Sequence, residues 1–391
     1  MNGTGMGWLA LAAAATVCSG ALLCGSARAE DAKPIKVGAV SSLGLFPEAS
    51  AGARAYFDVV NAAGGVQGRK LQLIVEDDKG QPELATQSAR KLVEHDNVVA
   101  NVGSASVLDC AVNAAFYEEK SLVSIQGTGV DPACFATPNI SPVNTGPYVG
   151  TAVALQFLSE IRSKSRVCVV TVAYALVQKP AFEKAIAGWS RLSGKQLAFS
   201  ALGVSPDADL ASLIKAVVNA QCQGVVFTAI EPTVINWVKT ANRLGVRGID
   251  WVFLTPAYTE NVAATLKTEG EGIYAISEFE PWSSRSGMLT DWRNVMVRGK
   301  VPLTSLSQGG YVSASVFVSV LRSIKGEITR ESVTAAFKGM DERKVPFMGT
   351  PYTFGGSREH NPNRAAIPVR LSAGRWEVAH WDYIVLPDSH K

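Results

Sequence analysis

The sequence predicts an α/β protein built from two doubly wound lobes, and three observations carry that prediction. From residue 35 onward, short β-branched runs alternate with amphipathic helical patterns, which is how parallel sheets with helical crossovers read. The alternation runs through twice, and the two series meet at a stretch rich in Pro, Asn and Gly, "TPNISPVNTGPY" at 137–148. The chain also has 391 residues, 47% of them hydrophobic, enough to bury two cores.

The first series opens with the buried strand "IKVGAV" (35–40). In "ASAGARAYFDVVNAAGG", Ala55, Phe57, Val60 and Ala63 fall at helical spacing, and Gly64–Gly65 stop the helix. "KLQLIVEDD" is a strand, "PELATQSARKLVEHD" a helix opening with Pro82, and "VVANVGS" a strand. The helix "AVNAAFYEEK" and the strand "LVSIQG" complete this half. The second series starts at the strand "RVCVVTVA" (166–173), then the helix "AFEKAIAGWSRLSG" and the strand "QLAFSALGV". A helix at "DLASLIKAVVNA", a strand at "GVVFTAI", a helix at "TVINWVKTANRLG" and a strand at "DWVFLT" follow. Beyond "GIYAISEFEPW" lies one more long helical pattern, "QGGYVSASVFVSVLRSI", and the chain ends in hairpin-like material from 349 to 378. Strands separated by helices imply right-handed crossovers.

Composition excludes several functions. Thirty-seven basic residues against 34 acidic ones, without basic blocks, give no footprint for nucleic acid or an anionic membrane. The stretch "VGSASV" (102–107) invites a serine-hydrolase reading, yet it lacks the closing glycine of a nucleophile elbow. None of the four histidines (His95, His360, His380, His390) stands in a recognisable frame with an acidic partner. "GTGV" (127–130) is no dinucleotide fingerprint, and no Gly-Lys-Ser/Thr follows a glycine-rich loop. Paired histidines, Cys-x-x-Cys and calcium-loop patterns are missing from the sequence. Asp77 and Asp78 resemble a carboxylate pair, but a strand-to-helix turn ahead of Pro82 explains them as well. The expectation is a non-enzyme without catalytic residues, cofactor or metal.

At the N-terminus, an apolar run from Trp8 to Leu23 leads into "SARA" at 26–29, as in a secretory signal cleaved after Ala29. The run is short for a membrane span, and no later segment is long and apolar enough to be one. Residues 1–29 are therefore read as a signal peptide and the protein as exported. Cys24 resembles a lipid-anchor site, though the bulky Leu23 precedes it. Cys18 and Cys24 leave with the signal, and Cys110, Cys134, Cys168 and Cys222 remain. An even count in an exported chain favours disulfides, and four cysteines allow three pairings. Cys110–Cys134 with Cys168–Cys222 is the favoured one; alternatively Cys168, in "RVCVVTV", is a buried small hydrophobe.

"GARAYFDVVNAAGGVQGRKLQLIVEDDKGQPELATQSARKLV" resembles the first helix, strand and second helix of the type I periplasmic binding proteins. More narrowly it is similar to the branched-chain (leucine/isoleucine/valine-binding) amino-acid family of ABC importers, across roughly residues 35–378. The resemblance implies two Rossmann-like lobes joined by three hinge crossings, with a ligand held between them as in a Venus flytrap. On that pattern, residues 30–145 and 276–346 form lobe 1, and 146–275 and 347–391 form lobe 2. It also implies a monomer that delivers a small carboxylate-bearing solute to an ABC permease in the inner membrane. A periplasmic sensor of the same fold is the alternative role.

The resemblance points to particular residues. Ser104, Ala105 and Ser106, at a strand end entering a helix, match the first-lobe grip on a ligand carboxylate, where helix N-termini favour anions. Ser106 alternatively caps the helix. Gly127, Thr128 and Gly129 match the next ligand loop, with one extra residue before Asp131. In the second lobe Tyr174, Glu231 and Tyr258 match the lid. Where the family places an acidic residue for the α-ammonium, this chain has Ala257 and Tyr258, with Glu260 two positions later. Either Glu231 takes the ammonium, or the ligand is an aromatic or other acid without one. Phe46 forms the pocket lip or is an ordinary loop hydrophobe.

Overall fold

The computed structural model describes Met1, residues 33–173 and residues 178–387; residues 2–29 of the expected signal and Tyr174 lie outside the described residues. The first sheet is fully parallel. Its strands are β1 (Ile35–Ser41), β2 (Leu71–Asp77), β3 (Asn101–Ser104), β4 (Ser124–Gln126) and β5 (Ile140–Pro142), in the order β2-β1-β3-β4-β5. Strand β1 lies inside the sheet, between β2 and β3, and is buried on both faces, so Ile35, Val37, Ala39 and Val40 are all wholly enclosed. Helices α1 (Pro47–Ala62), α2 (Pro82–Arg90) and α3 (Asp109–Glu119) connect the strands. Pro47 and Pro82 start their helices where a missing N–H costs nothing.

The second lobe opens with α4 (Gly146–Gln156), which packs on the second sheet. Strands β6 (Val167–Val172), β7 (Phe199–Val204), β8 (Gly224–Thr228), β9 (Asp250–Phe253) and β10 (Tyr274–Ser277) pair in parallel. Between them run α5 (Gln178–Ser193), α6 (Leu210–Asn219), α7 (Glu231–Arg243) and α8 (Glu260–Leu266). Trp237 of α7 stacks on Phe227 of β8 with ring centres 4.1 Å apart, anchoring helix to sheet. The chain then returns to the first lobe for α9 (Thr290–Gly299), α10 (Ser305–Leu321) and α11 (Arg330–Lys338). Long, buried α10 lies across α1 and β3. Finally β11 (Ala365–Ser372), β12 (Arg375–Val378) and β13 (Ile384–Val385) add an antiparallel edge, giving the order β12-β11-β10-β9-β8-β6-β7 with β13 on β11.

The two-lobed α/β expectation therefore holds, as do both disulfides, Cys110–Cys134 and Cys168–Cys222. The stretch 137–148 is more than a linker. It carries edge strand β5, which tolerates Pro142 for want of a neighbour on one side, and the first turn of α4. The chain passes between sheets three times, near residues 143–146, 277–279 and 362–365. Strand β10 stays in the second sheet, and Phe354 packs on Phe337 of α11. The later two crossings thus sit after residue 276 and after residue 347. No helix among the described residues is long and apolar enough to cross a membrane.

Candidate functional site

A cleft of about 1210 Å³ lies between the lobes and is walled by both. The carboxyl ends of the strands open into it, the usual ligand position in open α/β sheets. The first lobe contributes Phe46 and Glu48 after β1, Val107 after β3, Thr128 to Val130 after β4, and residues 302–306 leading into the first turn of α10. From the second lobe come the turn from β8 into α7, the segment 254–261 after β9, Phe182, Arg375 and Trp376. The walls are mostly apolar, and Arg375 is the one basic residue lining them among the described residues.

The structure divides the predicted residues into two groups. Thr128, Gly129, Glu231 and Tyr258 face the cleft. Ser104, Ala105, Ser106 and Gly127 lie behind that wall, fully or almost fully buried, and do not line the cleft. Ser104 accepts a hydrogen bond from the Val40 N–H (3.2 Å), closing β3 against β1. Ala105 prolongs the same pairing beside Ser41. Ser106 donates to Asp78 and accepts from the Leu108 and Asp109 N–H groups, so its hydroxyl serves the start of α3. Gly127 donates its N–H to the Ser104 carbonyl (2.9 Å). The Ser104 carbonyl, which also accepts from the Thr128 N–H (3.2 Å), thus braces the loop that presents Thr128 and Gly129. Phe46, the possible lip, is at the cleft edge and packs on Ala49 and Ala105.

Glu231 is the first residue of α7, and both carboxylate oxygens have protein partners. The Thr259 hydroxyl donates to one at 2.6 Å, and the Asn261 amide donates to the other. Glu48, from the opposite lobe, has its carboxyl pushed above the usual range by burial; its own N–H opposes this and the Glu231 charge adds to it. Tyr258 is not a free stacking surface. It lies 4.5 Å from Trp282 in a near-parallel stack, meets Trp376 edge-on, and shares a 2.7 Å hydrogen bond with Ser283. Burial raises its hydroxyl pKa well beyond the ordinary tyrosine range. Sequence reasoning missed Trp282, Trp376, Glu48 and Arg375; Trp282 sits in a loop, Arg375 and Trp376 in edge strand β12, and Glu48 in the first turn of α1, where an acidic residue reads as ordinary helix-start chemistry.

Beneath the first-lobe wall, Asp109 accepts from Tyr117 (2.6 Å), Asn113 (2.8 Å) and Gln126 (3.2 Å). Burial drives its carboxyl up to about 6, those donors pull it down, and the nearby Asp78 charge pushes it further up. A raised pKa means that the folded state holds the proton at pH values where the unfolded chain has released it. The stability from that proton is full below the ordinary carboxyl pKa and is lost as pH rises towards 6. Asp109→Asn, which stays neutral and keeps the Tyr117 bond, should close its stability gap to the parent by on the order of 3 kcal/mol between pH 4 and 7. Urea melts at the two pH values would show this; an unchanged gap would mean Asp109 is ionised throughout.

Fold and cleft together define a two-lobed α/β protein built to enclose a small molecule. Residues 34–375 match the family described as periplasmic binding protein, and the chain belongs to that family. Among solved structures it is similar to a possible leucine/isoleucine/valine-binding protein from Rhodopirellula baltica, with TM-score 0.76 and 17% identity over 90% of this chain and 97% of that one. A fatty acid ABC transporter substrate-binding protein from Thermomonospora curvata gives 0.75 and 18%, over 91% and 93%. A branched chain amino acid ABC transporter from Thermus thermophilus with bound valine gives 0.74 and 16%, over 90% and 97%. An amino acid binding protein from Pseudomonas aeruginosa is 32% identical over 73 residues, 19% of this chain and 20% of that protein. The matched stretch is thus about a fifth of that relative's length. No group of three or more His, Cys, Asp or Glu residues among the described ones is placed to hold a metal ion.

Proposed function

We propose that the chain is the periplasmic solute-binding component of an ABC importer, holding a small carboxylate-bearing solute in the cleft and releasing it unchanged. It works as a monomer that hands the solute to an inner-membrane permease, and no covalent step occurs. The observation that carries this reading is the cleft itself, walled by Thr128 and Gly129 from one lobe and Glu231 from the other. A ligand touching both walls stabilises the closed arrangement over the open one. The likeness to leucine/isoleucine/valine-binding and valine-bound proteins favours a branched-chain or related amino acid. A thermal-shift screen tests it: leucine, isoleucine or valine should raise the melting temperature, and none of them doing so defeats the amino-acid form.

A second reading, an aromatic or other acid without an ammonium, has its own support. Both Glu231 oxygens are already engaged, Tyr258 stands where the family's acidic residue is expected, and the walls are mostly apolar. Glu231→Gln separates the two. It should weaken an amino-acid ligand by about a hundredfold or more, since a buried ammonium loses its counter-charge. An unaminated acid should bind with affinity changed by only a fewfold. Calorimetry on both ligand classes reads the difference, and equal loss for both would remove the ammonium role from Glu231.

A further inference from the structure

The three chain crossings are stitched together by three polar side chains, Asn144, Glu278 and Asn363, one on each crossing. All three are buried, with exposures of 3%, 6% and 1%. Glu278 Oε1 accepts from the Gly146 N–H (2.8 Å) at the start of α4 and from Asn144 Nδ2 (3.1 Å). Asn363 Nδ2 donates to the Glu278 carbonyl (2.9 Å) and the Val143 carbonyl (3.2 Å). Asn144 also reaches the other way. Its Oδ1 accepts from the Gly129 N–H (2.8 Å), and its Nδ2 donates to the Gly129 carbonyl (3.2 Å). Gly129 belongs to the cleft-facing loop after β4, and Asn144 and Glu278 themselves reach the cleft wall.

We propose that Asn144 and Glu278 are positioning residues that tie the ligand-facing loop 127–130 to the hinge, so that the set of the loop and the angle between the lobes change together. The path is continuous: Gly129 backbone, Asn144 amide, Glu278 carboxylate, Gly146 backbone. The bonds on one Asn144 amide serve both ends, so turning the amide to follow the hinge breaks its grip on Gly129. Glycine at 129 has a reason of its own, because a Cβ there would lie 2.8 Å from Pro142 and 3.1 Å from Cys134. The loop backbone is therefore held from one side by close packing and from the other by Asn144. Coupling between two sites runs in both directions, so ligand pressing on the loop biases the hinge as much as the hinge biases the loop.

Peptide-resolved hydrogen exchange on the ligand-free chain tests this without knowledge of the solute. Glu278→Ala should speed exchange about tenfold at Gly146, its direct partner, and also at Gly129, which Glu278 does not touch. Glu278→Gln retains an oxygen for both donors and should restore protection at the two glycines. If Gly146 alone responds, if Gln fails to rescue, or if β1, β4 and β9 loosen by the same factor, the residues are ordinary hinge packing and the proposal falls. The ligand arm rests on the solute-binding reading. L-leucine titrated by calorimetry should bind Glu278→Ala at least about tenfold more weakly than the parent. Failure of the parent to bind leucine counts against the amino-acid reading alone, and the exchange result still decides the coupling.

Discussion

Gly310→Ala should destabilise the protein by roughly 3 kcal/mol or more, the upper end of what overpacking costs. Helices α1 and α10 form the most intimate helix pair of the first lobe, and glycines let their backbones approach. A Cβ at 310 would lie 1.8 Å from the Ala49 carbonyl oxygen and 2.8 Å from its carbon, both backbone atoms of a packed helix. Neither helix end is free to swing, since α10 also lies on β3. Alanine's advantage in helix propensity, about 1 kcal/mol, opposes this and is too small to win. Gly326→Ala provides the control, because nothing lies within 4 Å of the added carbon there. Thermal and urea melts of the two variants should separate clearly; an unchanged Gly310→Ala midpoint would mean that the helices are not in this contact. Neighbouring Gly309 sharpens the point for function. Its Cβ would meet the Gly127 carbonyl at 2.1 Å, so alanine there pushes on the loop that carries Thr128 and Gly129.

Much of the first lobe was legible because strands buried on both faces are written as unbroken apolar runs, as in Val37–Val40, and are separated by helices with proline starts and glycine stops. Elements held mainly by tertiary contact were not. Helix α4 is buried nearly all round, so "GPYVGTAVALQ" has no polar face to mark a period, and its leading Gly-Pro reads as a turn. Helices α9 and α11 are short, and α11 is capped by a Thr329–Ser332 box without the usual acidic residue. At the site, register within the family points to Thr128, Gly129, Glu231 and Tyr258, which line the cleft, and to Ser104 and Ser106, whose hydroxyls meet Val40 and Asp78, 64 and 28 residues away in sequence, behind its wall. A hydroxyl's partner is a fact of tertiary structure. The same holds for Tyr258, whose ring is already covered by Trp282 and Trp376.

The two disulfides offer the second large effect, and their difference is informative. Cys168 sits in β6, and Cys222 precedes β8, so their bond closes a stretch of 54 residues within the second lobe. Cys110 lies in the first turn of α3, and its bond to Cys134 closes only 24 residues, a stretch holding β4 and the Thr128–Gly129 loop. Loop-closure entropy assigns about 4 kcal/mol to the first and about 3 kcal/mol to the second. Truncation to alanine adds a small cavity cost, as all four cysteines are buried. Stability should therefore fall further in Cys168→Ala/Cys222→Ala than in Cys110→Ala/Cys134→Ala. Binding should show the opposite order. Both stretches reach the cleft, the longer one through Val172, Gln178 and Phe182. The shorter one, however, carries the loop whose backbone and hydroxyl at Thr128 and Gly129 face the ligand, so releasing it lets these sample positions that a ligand must later reorder. Urea midpoints and calorimetric affinities measured on the same two double variants give both orderings at once. If the 168–222 variant loses more affinity than the 110–134 variant while both remain folded, the first-lobe loop is not the part of the cleft whose rigidity matters.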